Sequence, residues 1–399
     1  MNRSLGLGVA FSATVLAAFL PARPADPPDL AGPPGSVEPS LSSTARGGLL
    51  ATWFEPRGEG RWALRIAERS RERWAAPLTV VEGDRFFVNW ADFPSAAETV
   101  DGRWIVYWLE KTAAKAYAYH VRVSTSTDRG RSWSAPTSPH SDTSATEHGF
   151  VAILPGEEGG AELIWLDGRQ TADPKAPGAM ALAWTMIGRD GKPGPDAILD
   201  SRVCDCCQTA IARTTQGPVV VYRDRTEGEV RDMSIVRRVD GRWTAPAPVA
   251  RDGWVYKACP VNGPSVAALG TKVAVAWFTG VDSTPQVKLA RSDDAGATFG
   301  RATRVDDGNP LGRAEIELLP DGSALVVWLE IVGEAAEWRV KRIDQNGRVL
   351  ARWVIGSAPR TRAAGFARAA LASGHLFVAW TEPGERGGIR VQRVASPGG

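Results

Sequence analysis

The sequence predicts an all-β protein, a single β-propeller of seven four-stranded blades, with a six-bladed ring as the alternative. A short apolar run that ends in an aromatic residue, one further residue and usually an acid recurs seven times, at intervals of 51 to 57 residues. Other short runs rich in β-branched residues surround each copy, and turn residues separate them. No segment keeps a 3.6-residue apolar period over ten residues, which disfavours helices. Four short strands per repeat of this length are typical of a propeller blade.

The recurring run is the second predicted strand of each blade. Its aromatic residues are Trp53, Trp108, Trp165, Tyr222, Trp277, Trp328 and Trp380. The fifth repeat shows the full layout, with strand-like segments at 263–269, 273–278, 286–291 and 302–305. We expect the seven runs to be equivalent inner strands of one closed ring.

The N-terminal segment is typical of export. Residues 1–25 begin with one Arg, Arg3, before an apolar stretch and then small residues and prolines, which predicts a secretory signal peptide. Residues 26–36 are rich in Pro and Gly and are predicted to be a linker, so that the propeller spans 37–399. No later stretch is apolar enough to span a bilayer. We therefore expect a periplasmic or secreted protein.

The net charge of the chain bears on whether it binds nucleic acid. The formal net charge is +2, with acids and bases scattered along the chain and no basic block. A nucleic-acid partner is therefore disfavoured. We expect a monomer that binds a glycan or another small molecule.

Polar groups should collect on one face of the ring, where second strands end and first strands begin. The acids that end second strands are Glu55, Glu110, Asp167, Asp224, Glu330 and Glu382. They either pair with neighbouring Arg residues or supply acid/base chemistry, because clustering and burial raise a carboxyl pKa. The starts of first strands carry Asn89, Asp92, His148, Asn262, Arg313, Glu315 and Arg368.

All four cysteines lie at the starts of blades four and five, in the segments CDCCQT and CPVNGP. In an exported protein the default is a disulfide, most simply from Cys206 or Cys207 to Cys259. The alternative is a thiolate site for copper or zinc, with Cys204, Cys206, Cys207, Cys259 and His148 as ligands. Beyond that alternative we expect no cofactor.

Two octapeptides carry a resemblance to a known family. Residues 126–133, STDRGRSW, fit the pattern S-x-D-x-G-x-x-W, and residues 292–299, SDDAGATF, repeat it with Phe in place of Trp. This pattern resembles the Asp-box, or BNR repeat, of sialidases, where it forms a turn between strands. Residues 219–268 also resemble exported bacterial BNR-repeat proteins that are described as sialidase-like. Because sialidases have six blades, a count of seven departs from that family.

The resemblance implies a catalytic site. Sialidases use three arginines to hold the substrate carboxylate, a Tyr nucleophile backed by Glu, and an Asp as acid/base. It points to Arg223, Arg313 and Arg368 as carboxylate holders with Asn262 as a further substrate-binding residue. The predicted catalytic residues are Asp224, Glu315 and Tyr256. The Arg-Ile-Pro tripeptide that opens the sialidase domain is absent.

Two functions from different classes follow. In the first, the protein is an exo-α-sialidase-like glycoside hydrolase that binds an acidic glycan in its central pocket. In the second, it is a non-catalytic propeller that binds a peptide, a glycan or a soft metal, using the cysteine-rich starts of blades four and five.

Overall fold

The computed structural model describes residues 28–70, 72–173, 175 and 178–394. The predicted signal peptide lies outside these residues. Within them the chain forms 29 strands and three short 3-10 segments, Arg169–Thr171, Val281–Ser283 and Arg362–Ala364. None of the described helical segments is long and apolar enough to cross a membrane. The all-β prediction is confirmed.

Seven antiparallel sheets form seven blades, as predicted. Blade 1 comprises β2 (Val37–Ser43), β3 (Leu49–Gly58), β4 (Arg61–Ser70), β5 (Arg73–Trp74) and β6 (Leu78–Gly83). Blade 2 comprises β7 (Ser95–Glu98), β8 (Trp104–Lys111) and β9 (Tyr119–Ser126). Blade 3 comprises β10 (His148–Pro155), β11 (Ala161–Asp167), β12 (Ala181–Ile187) and β13 (Ala197–Asp200). Blade 4 comprises β14 (Ala210–Thr214), β15 (Gly217–Arg223), β16 (Met233–Val239), β17 (Arg242–Trp243) and β18 (Ala247–Ala250).

The last three blades follow the same order. Blade 5 comprises β19 (Ser265–Leu269), β20 (Lys272–Thr279), β21 (Gln286–Ser292) and β22 (Thr303–Arg304). Blade 6 comprises β23 (Pro310–Leu318), β24 (Ala324–Val332), β25 (Ala335–Ile343) and β26 (Val349–Pro359). Blade 7 comprises β27 (Arg368–Ala372), β28 (His375–Thr381), β29 (Ile389–Arg393) and β1 (Leu30–Ala31). In blade 2 the outermost strand is reduced to an antiparallel bridge between Val123 and Thr137.

The two ends of the chain close the ring in blade 7. Leu30 pairs with Val391 and Ala31 pairs with Arg390, so that β1 is the outer strand next to β29. Gly32 then donates its backbone N–H to the carbonyl of Ile389. Part of the segment predicted to be a linker is therefore an integral strand of the propeller.

The recurring aromatic runs form the second strand of every blade, not the innermost one. The first strands are innermost, since each contacts the first strand of a neighbouring blade, as β2 does with β7 and β27. The seven aromatic side chains are at most 1 % exposed. Each belongs to a core cluster that joins its own blade to the preceding one, as Trp328 does between blades 5 and 6 and Trp380 between blades 6 and 7. The aromatic period is thus the period of the blade interfaces.

Both octapeptides form the turn that follows a third strand. In the first, Ser132 donates its backbone N–H to Asp128 Oδ1 and Gly130 donates to Ser126 Oγ. Hydrogen bonds from the hydroxyl and the backbone N–H of Ser132, and then from the hydroxyl of Ser126, lower the pKa of Asp128 to about 2. Gly130 has a φ of +81°, and a Cβ there would lie 2.8 Å from the Trp104 ring, so only Gly fits. The second turn repeats the bonds with Thr298, Asp294, Gly296 and Ser292.

Candidate functional site

The loop before β7 crosses the ring at the face that carries the starts of the first strands, which we call the loop face. The indole of Trp90 in this loop stacks on Phe366 of blade 7, with ring centroids 5.8 Å apart. The guanidinium carbons of Arg313 and Arg362 lie 5.2 and 5.6 Å from its centroid. Loops from blades 2, 6 and 7, which are distant in the sequence, therefore meet at Trp90.

Two cavities adjoin Trp90, and together we call them the Trp90 groove. One, of about 380 Å³, is mainly apolar and is lined by Trp62, Phe93 and Phe366 among others. The other, of about 290 Å³, carries the polar groups. Its lining includes Tyr117, Tyr119, Glu147, Asp205, Cys206, Cys259 and Arg362. A larger cavity of about 660 Å³ lies away from the ring axis, at the turn of residues 292–299 in blade 5.

A paired tyrosine and glutamate lie in the polar cavity. The hydroxyl of Tyr119 donates to Glu147 Oε1 at 2.5 Å, and its ring stacks on Phe87 at 3.9 Å between centroids. Burial raises the pKa of Glu147 to about 7; the charge of Asp205 adds to the rise and the Tyr119 hydrogen bond opposes it. A carboxyl with such a pKa can give or take a proton near neutral pH.

The second carboxyl of this cavity has a different environment. The side chain of Asp205 is 39 % exposed, and its Oδ1 lies 3.4 Å from Arg231 Nη1 and 3.6 Å from Arg225 Nη1. Asp205 is therefore a carboxylate among positive charges, whereas Glu147 is a carboxyl in a largely buried position. Two carboxyls in contrasting environments are the arrangement that glycosidases use to divide acid and nucleophile roles.

Sequence comparison identifies no relative of this chain. No protein-family model matches it, and no curated protein does. Among solved structures, an ulvan lyase of polysaccharide lyase family PL25 aligns over 92 % of this chain and 94 % of its own, with a TM-score of 0.59 and 12 % identity. The same kind of lyase bound to -[GlcA(1-4)Rha3S]- gives 0.58 and 11 % over the same shares. A Hadza microbial sialidase, Hz136, covers 90 % of this chain and 66 % of its own, with a TM-score of 0.46 and 12 % identity. At these identities the lyases show a shared propeller fold and nothing more.

Two of the three predicted carboxylate-holding arginines are bonded to the backbone. Arg223 is 2 % exposed and donates to the carbonyls of Asn262, Phe278 and Arg231 at 2.6 to 3.0 Å. Arg313 donates to the carbonyls of Gly365 and Thr361 at 2.6 and 3.1 Å. These bonds join neighbouring loops across blade boundaries. Neither residue lines the Trp90 groove.

The third arginine lies with other predicted residues on the inner strands. Arg368 pairs with Glu315 at 2.5 Å and covers the ring of Phe93. Burial raises the pKa of Glu315, and Arg368 opposes that rise. Burial and the charge of Glu315 raise the pKa of the next carboxyl on β23, Glu317, to about 8. The side chain of Asn262 accepts the backbone N–H of Arg313 at 2.7 Å, a structural bond.

The remaining predicted catalytic residues lie outside the groove. Asp224 follows β15, where burial raises its pKa and Ser234 donates to it at 3.3 Å. Tyr256 is 38 % exposed and stacks on Trp254, with centroids 5.0 Å apart. Neither residue lines either cavity, and Glu315 does not either. The catalytic roles of these three residues stay predictions.

Most carboxylates that end second strands bind neighbouring groups, as one of the two sequence interpretations has it. The pairs are Glu55 with Arg57 and Arg65, Glu110 with Arg85 and Arg122, Asp167 with Arg169, and Glu382 with Arg390. Glu330 instead accepts the indole N–H of Trp328 at 2.6 Å and the backbone N–H of Asn309 at 2.7 Å. These side chains fix the turns of the loop face.

Three of the four histidines meet between blades 2 and 3. The ring centroids of His120, His140 and His148 lie 4.2 to 4.9 Å apart. His148 Nε2 is 3.0 Å from Asp142 and 3.7 Å from Asp167. Among the described residues, no group of converging metal-ligand atoms contains both His148 and a cysteine. The ring of His148 is held in the histidine cluster, and its role in the metal alternative stays a prediction.

The histidine cluster should destabilise the fold in acid. Burial, with the neighbouring histidines, lowers the pKa of His140 to about 3, and burial lowers that of His148 although Asp167 and Asp142 oppose it. Below about pH 6.5 these two histidines bind protons in the unfolded chain but not in the folded one. The free energy of unfolding is therefore highest above this pH and decreases below it. Each unit of pH below 6.5 should cost about 1.4 kcal/mol per histidine, until the folded pKa is reached.

Thermal melting between pH 7.5 and 4.5 measures this effect. We expect the melting temperature to fall with pH in the wild type and to fall less in His140→Gln. Replacing His375, which lies outside the cluster, is the matched control and should leave the slope unchanged. Equal slopes for wild type and His140→Gln would contradict the assignment.

The four cysteines are all free thiols in the structure. Cys204 and Cys207 are the nearest pair, and their Sγ atoms are 3.1 Å apart, well beyond the length of a disulfide bond. The predicted bridge from Cys206 or Cys207 to Cys259 is not formed. Both predicted partners do lie near each other, since Cys206 Sγ and Cys259 Sγ belong to one group of ligand atoms within 4.8 Å.

Proposed function

We propose that this protein binds an acidic glycan in the Trp90 groove. The observation that carries the proposal is an aromatic groove with one guanidinium that has no carboxylate partner among the described residues, that of Arg362. Trp90, Trp62 and the 58 % exposed Tyr117 present flat apolar surfaces with polar edges, on which sugar rings can stack. Pockets of this volume, mainly apolar with a few polar groups, are typical ligand sites.

The charges around the polar cavity favour an anion near neutral pH. Arg362 is exposed and lies over the Trp90 indole. Asp205 is compensated by Arg225 and Arg231. Glu147, with a pKa of about 7, is uncharged in much of the population at and below that pH. Acidic sugars should therefore bind better below pH 7 than above it, because ionised Glu147 repels them.

Acidic oligosaccharides are the first ligands to test. The ulvan lyase bound to -[GlcA(1-4)Rha3S]- has the same kind of propeller, which supports the choice of uronic-acid oligosaccharides as probes. Sialyl oligosaccharides are the second set, on the resemblance of the octapeptides to Asp-boxes. Because the sequence predicts a signal peptide, we propose that the protein binds the glycan in the periplasm or outside the cell.

Calorimetric titration of the full chain with an acidic oligosaccharide and its neutral counterpart tests the proposal. We expect the acidic one to bind more tightly, and Arg362→Ala to weaken it about tenfold through loss of a charge-assisted contact. Arg301→Ala removes the same charge from an exposed site beside the outer cavity of blade 5 and should change nothing. Equal affinity for both sugars, or an unchanged affinity in Arg362→Ala, would reject an acidic ligand in this groove.

A second function, cleavage of a glycosidic bond, is favoured by the two carboxyls of the polar cavity. In this proposal Glu147 gives its proton to the leaving glycosidic oxygen. The carboxylate of Asp205 stabilises the positive charge that develops at the anomeric carbon as the glycosidic C–O bond breaks. A water molecule then adds its oxygen to the anomeric carbon and gives a proton back to Glu147, which completes the hydrolysis. Tyr119 positions Glu147 through the 2.5 Å hydrogen bond. This assignment differs from the sequence prediction, in which Tyr256 is the nucleophile; Tyr256 does not line the groove.

A further inference from the structure

The cysteine-rich start of blade 4 brings three sulfur atoms together. Cys204 Sγ lies 3.1 Å from Cys207 Sγ and 3.9 Å from Cys206 Sγ. All three ligand atoms lie within 4.8 Å of one another. Cys204 and Cys207 are 0 and 2 % exposed, whereas Cys206 is partly exposed. Three thiols that converge in this way, two of them in the core, are more than packing of an apolar loop requires.

Hydrogen bonds that involve no sulfur atom hold the segment of the three cysteines in place. Cys204 donates its N–H to the carbonyl of Arg223 at 3.0 Å. Gln208, which follows the triad, donates to the carbonyl of Ala91 at 2.6 Å and accepts the N–H of Gly263 at 3.0 Å. Thr209 donates to the carbonyl of Phe150 at 2.7 Å. The segment is thus tied to β10, β15 and the loops before β7 and β19, so that a ligand would meet a site that is already assembled.

We propose that Cys204, Cys206 and Cys207 bind a single Cu(I) ion through their sulfurs. Thiolates select soft cations, chiefly Cu(I) and Zn²⁺. A structural zinc site is tetrahedral and needs a fourth ligand. Here the fourth sulfur, Cys259, groups with Cys206 and Asp205 but not with Cys204 and Cys207. Three sulfurs without a fourth suit Cu(I), which accepts a lower number of ligands.

The surroundings supply access and charge. Cys206 and Cys259 both line the polar cavity, so an ion can reach the triad from solvent through it. Binding releases the thiol protons and leaves a negatively charged Cu(I)–thiolate group. The buried guanidinium of Arg231 lies 3.4 Å from the carboxylate of Asp205, the residue between Cys204 and Cys206. The proposal does not depend on glycan binding.

Anaerobic titration of the full-length, reduced protein with Cu(I), in competition with a chromogenic Cu(I) chelator, tests the assignment. We expect one tightly held Cu(I) per chain, a thiolate-to-copper absorption in the near ultraviolet, and a higher melting temperature on binding. Cys204→Ala and Cys207→Ala should lose all three effects. Cys259→Ser should keep them, and is the matched control because it removes a thiol from the same cavity.

Other outcomes overturn the proposal. Four titratable thiols with no Cu(I) retained against the chelator would show that the triad is only packing. A mass two hydrogens short of the reduced chain, with no Cu(I) bound, would show a disulfide instead. Tight Zn²⁺ binding that Cys259→Ser abolishes would replace the three-sulfur Cu(I) site by a four-ligand zinc site. Melting of each metal-free variant identifies any that fails to fold, and Cys206→Ala, at the partly exposed position, then takes its place.

Discussion

Glu147→Gln is expected to lower kcat/KM for glycoside cleavage by roughly 100- to 10,000-fold, the usual contribution of a general acid. Gln keeps the size of the side chain and can still accept the Tyr119 hydroxyl, but it has no proton to give. The wild-type rate should fall as the pH rises through about 7, because Glu147 ionises there. The measurement is the initial rate of release of reducing ends from an acidic oligosaccharide between pH 5 and 9.

Stability provides the control for this variant. The folded pKa of Glu147 lies above that of a free Glu, so the ionised side chain opposes folding at high pH. Glu147→Gln should therefore melt at or above the wild-type temperature at pH 8. Glu158→Gln makes the same change at an exposed turn and should leave the rate unaltered. Full activity in Glu147→Gln would refute its role as the acid, and an inactive wild type would remove cleavage but leave binding untouched.

The second large effect concerns Arg223. We expect Arg223→Met to destabilise the fold by about 3–5 kcal/mol, because it leaves three carbonyl acceptors without their donor. Met has a similar volume, but it leaves the carbonyls of Asn262, Phe278 and Arg231 without their guanidinium donor, and an unpaired buried acceptor costs about 1–3 kcal/mol. Arg301→Met, at an exposed position, is the matched control and should change stability little.

Thermal and urea unfolding measure this difference, and glycan titration at a temperature where the variant stays folded completes the test. Under our account the folded variant binds the glycan as the wild type does. A variant of unchanged stability that no longer binds would instead restore Arg223 as a substrate-carboxylate holder, the role that the family resemblance implied.

The sequence predicted the blades because their interfaces require aromatic residues at a fixed period. Trp328 and Trp380 each fill the space between two blades, so the pattern marks the interfaces directly. The aromatic runs are the second strands, as predicted, and they stand out in the sequence for a related reason. A second strand is covered by its neighbours and by both adjacent blades, which makes it the most apolar one. The first strands border the ring axis and carry polar residues such as Ser95 and Glu315.

The site was harder to predict because it forms between loops that are distant in the sequence. Asn89 and Asp92 were singled out at the start of blade 2, but Trp90 between them was not. Its importance follows from contacts with Phe366 and Arg362, about 270 residues further along the chain. The proximity of Cys206 and Cys259 was inferred correctly from their positions at the starts of adjacent blades. Whether the two sulfurs form a bond depends on the distance and angle between them, which their spacing in the sequence does not determine.

The central claim is that the Trp90 groove holds the glycan. A crystal structure of the full chain with a bound acidic oligosaccharide tests it most directly. We predict a sugar ring stacked on the Trp90 indole, with its carboxylate in hydrogen-bond contact with Arg362 and a glycosidic oxygen beside Glu147. A sugar bound elsewhere, for instance in the outer cavity beside the turn of residues 292–299, with the Trp90 groove left to solvent, would contradict the account.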